Sequence, residues 1–286
     1  EVMLQQTRMN AVLPYYERFM RELPTPADLA ACDPDRLHKL WEGLGYYSRA
    51  NNLRRAAAVI AAEYGGELPR TFRELRALPG IGDYTAGAIA SISMGIAVPA
   101  VDGNVMRVFS RLYNDRSDIT QPDTKRRVTE RVCEELPPDA PGDFNQALME
   151  LGALVCVPGE PHCADCPLAA LCAAHAAGSA ASLPARAEKK PRRVENWTVW
   201  VIRSAAGVLL TRRPDSGLLA GLWQPPVTDA PKTGAASFLA GFLPGAVIEN
   251  LTPLPAARHL FTHIEWCMSG WECTLAAPAP PPDGYI

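Results

Sequence analysis

The sequence predicts a mainly α fold in two parts, with a helical domain over residues 1–176, a linker over 177–196 and a smaller α/β domain over 197–286. Three observations carry this expectation. Apolar residues recur at helical spacing through the first part, with little period-2 alternation. Residues 177–196 then shift to small residues, two prolines and a basic run. From Trp197, the stretch WTVWVIRSAAGVLLTRR reads as two strands around an Ala-Gly turn.

The helices follow in order. VLPYYERFMRELP carries Leu13, Tyr16, Phe19 and Met20 at helical spacing, and PDRLHKLWEGL carries Leu37, Leu40, Trp41 and Leu44 on one face. ANNLRRAAAVIAAEYGGELP is an Ala-rich helix stopped by Gly65-Gly66. TFRELRA and YTAGAIASISMG flank a Gly-rich turn, VMRVFSRL follows Asp102, and DFNQALMELGALVC places Phe144, Leu148, Leu151 and Leu154 in register. All these apolar stripes are expected to face the core.

Composition narrows the class. With 48% hydrophobic and 21% charged residues the chain is neither disordered nor collagen-like, and it has no run of 18 apolar residues to span a membrane. The net charge is −3, with 18 basic against 23 acidic residues up to 176 and 10 against 8 beyond. Global charge therefore points to no nucleic-acid partner, and any such reading must rest on local sites. The chain opens at Glu1 inside the apolar EVMLQQT, a stretch with no charged n-region or cleavage site of a signal peptide, and ends in Pro-rich sequence at Ile286; it reads as a fragment cut at both ends, on which a leader is not testable.

Four of the 8 cysteines crowd into Cys156-x6-Cys163-x2-Cys166-x5-Cys172. One CxxC knuckle with wider outer spacings favours a [4Fe–4S] cluster over zinc, which usually takes two such knuckles, and both over a disulfide pair. Cys32, Cys133, Cys267 and Cys273 are isolated and are expected to be buried apolar residues. Leu78-Pro79-Gly80-Ile81-Gly82 lies between two helices, so its backbone amides can hold a phosphate without a basic side chain; a GxG turn alone is more often plain punctuation. Asp102 precedes a helical run and reads as an N-cap, whose amide donors keep it ionised as a cation-stabilising catalytic Asp must be. Position alone does not separate the two roles.

Taken together these motifs resemble a known family. LPGIGDYTAGAI is similar to the helix–hairpin–helix of the endonuclease III superfamily of DNA glycosylases, and the cysteine intervals resemble its iron–sulfur loop. EVMLQQT, WEGLGYYSRANNL and VPAVDGNVMRVFSR resemble the adenine DNA glycosylases of MutY type. The resemblance implies a two-lobed glycosylase domain with a cluster loop over 156–172, acting on double-stranded DNA that contains A:8-oxoguanine or A:G mispairs. It implies Glu1 as catalytic acid, Asp102 as essential aspartate, and Tyr84 where bifunctional relatives carry a Schiff-base lysine, hence a monofunctional hydrolase. The neighbours Val2, Met3 and Leu4 are expected to give Glu1 an apolar setting. Gln6 and Tyr46 match residues wedged into the duplex, and Thr7, Leu78, Gly80, Gly82 and Asn104 are expected at the DNA. Cys156, Cys163, Cys166 and Cys172 match the cluster ligands.

RRPDSGLLAGLWQPP and HLFTHIEW resemble the family's Nudix-like 8-oxoguanine recognition domain, here truncated, with Phe261, Thr262 and His263 in the recognition loop. Thr262 stands where a serine is common. No glutamate-dense helix follows Pro226, so a nucleotide hydrolase reading fails, and His259 with His263 lacks the further ligands of a metal site. A bifunctional lyase and a non-catalytic DNA-binding or redox-sensing protein are the rivals. Tyr84 argues against the first, and the pairing of Glu1 with Asp102 against the second. A monomer is expected, in the cytoplasm or nucleoid of a bacterium, or in a eukaryotic nucleus or mitochondrion, and not secreted.

Overall fold

Most helices of the first part begin with a short polar side chain that accepts from the free N–H groups of the first turn, or with a proline, which has no N–H to satisfy. The computed structural model describes residues 1–188, 191–229 and 234–286. Its first compact unit, Glu1–Glu188, holds α1 (Met9–Glu22), α2 (Pro26–Ala31), α3 (Pro34–Trp41), α4 (Tyr47–Glu63), α5 (Phe72–Ala77), α6 (Asp83–Ala88), α7 (Gly103–Leu112), α8 (Pro122–Glu135), α9 (Pro141–Glu150) and α10 (Ala173–Ala176). Thr25 and Asp28 form a reciprocal capping box on α2, while Asp33, Thr71 and Asp102 cap α3, α5 and α7. Both α6 and α9 widen into π turns, at Ile89–Ser93 and Leu151–Val155.

The core of this unit lies in two lobes. One gathers Leu37, Trp41, Phe19 and Ala50, with Leu75, Ile81 and Ala86 beyond them. The other is built on Val105, Phe109, Val128 and Val132. The stripe expected on α1 does not pack as a core: Phe19 is buried, but Leu13, Tyr16 and Met20 are 47%, 53% and 42% exposed and line an open apolar cavity of about 670 Å³ with Leu68 and Ile92. Val12 takes the buried position instead. Leu154 is likewise exposed, because the π turn at Leu151–Val155 breaks the 3.6-residue period that aligned it with Leu148.

The second unit, Lys189–Ile286, holds β1 (Arg193–Ser204), β2 (Gly207–Val208), β3 (Thr211–Arg212), β4 (Trp223–Gln224), β5 (Val227–Asp229), α11 (Ala235–Phe242), β6 (Ile248–Leu260) and β7 (Ile264–Leu275). The sheet runs β2-β1-β7-β6, with β5 also on β1; β1 and β7 are parallel and the other pairs antiparallel. Helix α11 covers one face, stacking Phe238 on Trp200 at 4.3 Å between ring centroids. A mainly α domain followed by a small α/β domain is thus the observed class.

Details differ from the expectation. Thr211–Arg212 leaves the first hairpin and pairs with Trp223–Gln224. The stretch expected as linker is structured on both flanks: Ala180 and Leu183 pack with Ala174 against Cys163 and Cys172, and β1 already begins at Arg193. Lys189 and Lys190 of its basic run lie outside the described residues. Of the four isolated cysteines, Cys32 and Cys273 are buried as expected, whereas Cys133 is exposed and Cys267 half-buried. Among the described residues no helix is long and apolar enough to cross a membrane.

Candidate functional site

Tyr84 sits in the first turn of α6, directly after the Gly-rich hairpin. Its phenol is partly buried and touches Met149 Sδ at 3.5 Å. Burial first, and then the charges of Glu1 and Asp102, push this phenol well above its ordinary value. The three residues expected to act together are therefore electrostatic neighbours.

Two networks hold the carboxylates. Asp102 accepts hydrogen bonds at Oδ1 from the Asn104 and Val105 backbone N–H groups, both at 2.8 Å, and at Oδ2 from Asn104 Nδ2 at 2.9 Å. Asn104 in turn accepts from Arg107 Nη2 at 3.0 Å, and Arg107 donates to the carbonyls of Gly152 and Cys156 at 2.6 and 2.7 Å. Fully buried Asn145 fixes the approach to Asp102, accepting from the Ala100 N–H and donating to Val98 O and Ser91 Oγ. On the other side Gln5 Nε2 donates to Thr85 Oγ1 at 3.0 Å, tying the Glu1 segment to α6. Glu1 itself is exposed. It nevertheless stands on the lining of the open apolar cavity beside α1, which Val2, Met3 and Leu4 line with it, while Met3 also packs into the core.

The hairpin is anchored by burial of Leu78 and Ile81, so Leu78 offers a partner only its backbone. Gly80 has φ 77°, and a Cβ there would lie 2.6 Å from Asn52 Cβ, so glycine is required on both counts. Gly82 starts α6 without a side-chain cap, and an open cavity of about 480 Å³ beside it is lined by Arg73, Arg76 and Asp83. Asp83 is paired with Arg76 and lies 3.8 Å from Lys125. Gln6 and Tyr46 are both exposed and both left-handed, at φ 59° and 49°. Thr7 and Asn104, expected at the DNA, are half-buried and also bonded within the protein: Thr7 Oγ1 accepts from Arg49 Nη2 at 3.1 Å, and both ends of the Asn104 amide are used at Asp102 and Arg107.

Cys156, Cys163, Cys166 and Cys172 line one small cavity with Arg111, His162 and His175. Burial, then Cys172, Cys166 and Cys156, push the Cys163 thiol up, while Arg111 pulls it down. Arg111 is 1% exposed and donates to the carbonyls of Val157, Gly159 and Leu183 and to Cys156 Sγ, the last at 3.3 Å. Among the described residues no three His, Cys, Asp or Glu side chains are gathered as for a single metal ion. Four soft thiols around one cavity, with a buried cation beside them and no carboxylate on its lining, form a donor set that suits an iron–sulfur cluster.

In the second unit Phe261, Thr262 and His263 form the tip of the β6–β7 hairpin. Arg192 Nε donates to Phe261 O at 2.9 Å and the Arg193 N–H to His263 O at 3.1 Å. Phe261 meets His259 and Trp266 edge-on at 4.5 and 4.9 Å, leaving Thr262 and His263 exposed. Trp266 Nε1 donates to Glu195 at 2.8 Å. Helix α11 carries no acidic residue, in keeping with the absence of a glutamate box.

The positioning groups Arg49, Arg107, Arg111 and Asn145 were not legible as such in the sequence. The one available signal was the i, i+4 pair Arg107 and Arg111 within the otherwise apolar run VMRVFSRL.

Residues 1–135 match the family described as HhH-GPD superfamily base excision DNA repair protein, and residues 198–285 match the NUDIX domain. The chain is 36% identical to the adenine DNA glycosylase of Mus musculus, with 98% of this chain and 65% of the mouse protein covered. It is 36% identical to the adenine DNA glycosylase of Homo sapiens, with 98% of this chain and 61% of the human protein covered. The chain thus spans less than two thirds of the length of these relatives. Among solved structures, an endonuclease III in a non-covalent DNA complex is similar with a TM-score of 0.55 and 28% identity, covering 62% of this chain and 81% of that one.

Proposed function

We propose, from the match of residues 1–135 to the HhH-GPD superfamily of base excision DNA repair proteins and of residues 198–285 to the NUDIX domain, that the chain removes adenine mispaired with 8-oxoguanine or guanine in duplex DNA, as a monofunctional glycosylase. The observation that carries this reading is the Asp102 carboxylate held by three N–H donors, with Gln5 tying the Glu1 segment to α6 at Thr85, next to Tyr84.

An adenine inside a duplex is out of reach, so it must leave the stack, at a cost of about a few kcal/mol that a mispair lowers. Exposed Gln6 and Tyr46 are the wedge for this step. Glu1 then donates its proton to N7 of the base, and the electrons of the breaking C1′–N9 bond leave with the protonated adenine. Positive charge develops on the sugar, and the Asp102 carboxylate, aimed by its three N–H donors, stabilises it until water adds at C1′ and returns its proton to the Glu1 carboxylate. Tyr84 keeps its proton, offering a hydroxyl beside both carboxylates and no amine for a Schiff base. Phe261, Thr262 and His263 read the opposite base.

Cys156, Cys163, Cys166 and Cys172 would hold a [4Fe–4S] cluster, which when bound supplies a rigid four-point anchor for the loop and no chemistry to the hydrolysis. The buried Arg111 offsets the thiolate charge there. Incubation with an A:8-oxoguanine duplex tests the whole reading. Strand breaks only after alkali are expected; breaks without alkali indicate a lyase, and none at all a binding protein.

A further inference from the structure

Gln6 and Tyr46 share an oddity: both are non-glycine residues held in the left-handed region, a conformation that side chains resist. They stand 40 positions apart, one after the Glu1 segment and one at the N-cap of α4, yet a single side chain reaches the carbonyl just before each. Arg49, on the first turn of α4, is 8% exposed. Its Nη1 donates to Val2 O at 3.2 Å, Met3 O at 2.9 Å and Gln5 O at 2.6 Å. Its Nη2 donates to Thr7 Oγ1 at 3.1 Å, Leu44 O at 3.1 Å and Gly45 O at 3.2 Å. The ring of Tyr46 lies 5.6 Å from the guanidinium carbon. Only Nε is left without a partner.

Two of these bonds are placed where they matter. The carbonyl oxygen of a residue lies in the peptide plane about which the next residue's φ is set. Gln5 O and Gly45 O are the oxygens immediately before Gln6 and Tyr46, so one planar fork pins the plane that makes each φ positive. Nη2 also holds Thr7 on the far side of Gln6. We infer that Arg49 is a positioning residue for duplex opening: it presents Gln6 and Tyr46 together, in a fixed mutual geometry, as one two-pronged wedge. The guanidinium touches no DNA in this role, since burial removes it from the surface. A lysine cannot replace it, because its ammonium is a point donor with three N–H groups and no fork.

The inference rests on the glycosylase reading, and its test keeps the two apart. Wild type, Arg49→Lys and Thr7→Val are compared on a duplex carrying 2-aminopurine opposite 8-oxoguanine, whose fluorescence rises when the base unstacks. Duplex affinity, single-turnover excision of adenine and thermal midpoint are measured alongside. Arg49→Lys is expected to lose about tenfold or more in the unstacking signal and in excision together, with duplex affinity within about threefold of wild type. A residue that only stabilises the fold would lower affinity in parallel. Thr7→Val removes one acceptor while Arg49 stays, and keeps the test decisive where the lysine variant fails to fold; it is expected to weaken unstacking about threefold with little change in midpoint. Folded Arg49→Lys that unstacks and excises like wild type overturns the inference, as does Thr7→Val with an unchanged signal where the lysine variant does not fold. A wild type that neither unstacks nor excises overturns the glycosylase reading itself.

Discussion

Replacing Asn104 by alanine separates two roles for that residue, since the sequence places it at the DNA and the structure places its amide inside the protein. The substitution removes Nδ2 from Asp102 Oδ2, at 2.9 Å, and the acceptor of Arg107 Nη2, at 3.0 Å. It opens no cavity against Gly152, because alanine keeps the Cβ that fits there. A hydrogen bond to a charged group contributes about 1.5–3 kcal/mol, so losing the one that aims Asp102 is worth roughly 10- to 150-fold in rate if it acts on the transition state alone. Arg107 keeps its bonds to Gly152 and Cys156, so the fold should survive with a midpoint lowered by a few degrees. Single-turnover excision on an A:8-oxoguanine duplex gives the rate, and titration of the same duplex gives affinity. A rate within twofold of wild type would refute the reasoning. An affinity loss as large as the rate loss would return Asn104 to the DNA interface.

Glu1→Gln is expected to abolish excision while leaving duplex affinity largely intact, because the carboxyl acts only as the bond breaks; equal losses in rate and affinity would remove it from the mechanism. Cys163→Ser should yield colourless protein low in iron, checked by visible absorbance and iron analysis, where the parent is brown. A phenol raised above its ordinary value favours the neutral form in the folded state, so the stability Tyr84 contributes is whole below pH 10 and is lost as pH rises toward the folded value. Ultraviolet titration of wild type and Tyr84→Phe should therefore coincide through pH 10 and diverge only above it. His263→Ala should slow excision opposite 8-oxoguanine more than opposite guanine, by roughly 1–3 kcal/mol of discrimination, and equal slowing would deny the hairpin tip a reading role.

Local chemistry was legible where it is written in adjacent residues. The cap at Asp102, the stop at Gly65-Gly66, and the hairpin glycine at 80 each follow from what a turn or helix end demands. Cys156 to Cys172 reach one cavity because their loop is short. What escaped was long-range. Arg49 and Arg107 carry no signal of burial in their helical stretches, yet each is buried by satisfying carbonyls more than 40 residues away. No periodicity signals that, because the partners are backbone atoms whose identity carries no information. The α1 stripe misled for the opposite reason. Leu13, Tyr16 and Met20 have the spacing of a core face, but spacing states only that a face is apolar, never that something covers it.

The parallel pairing of β1 with β7 constrains the order in which the second unit can be assembled. Thr198 and Ser269, side by side in that register, are 71 residues apart, and β6 meets β1 only through β7. A ribosome releases β1 early, and that strand must then wait for nearly the whole unit before its long neighbour arrives. The helical unit, whose contacts are more local, can close in the meantime. Until Ile264–Leu275 emerges, an apolar strand carrying Trp200 and Ile202 has one long edge without its partner, so any delay in translation between Ser204 and Ile264 prolongs the interval in which that edge is open to pairing with another chain.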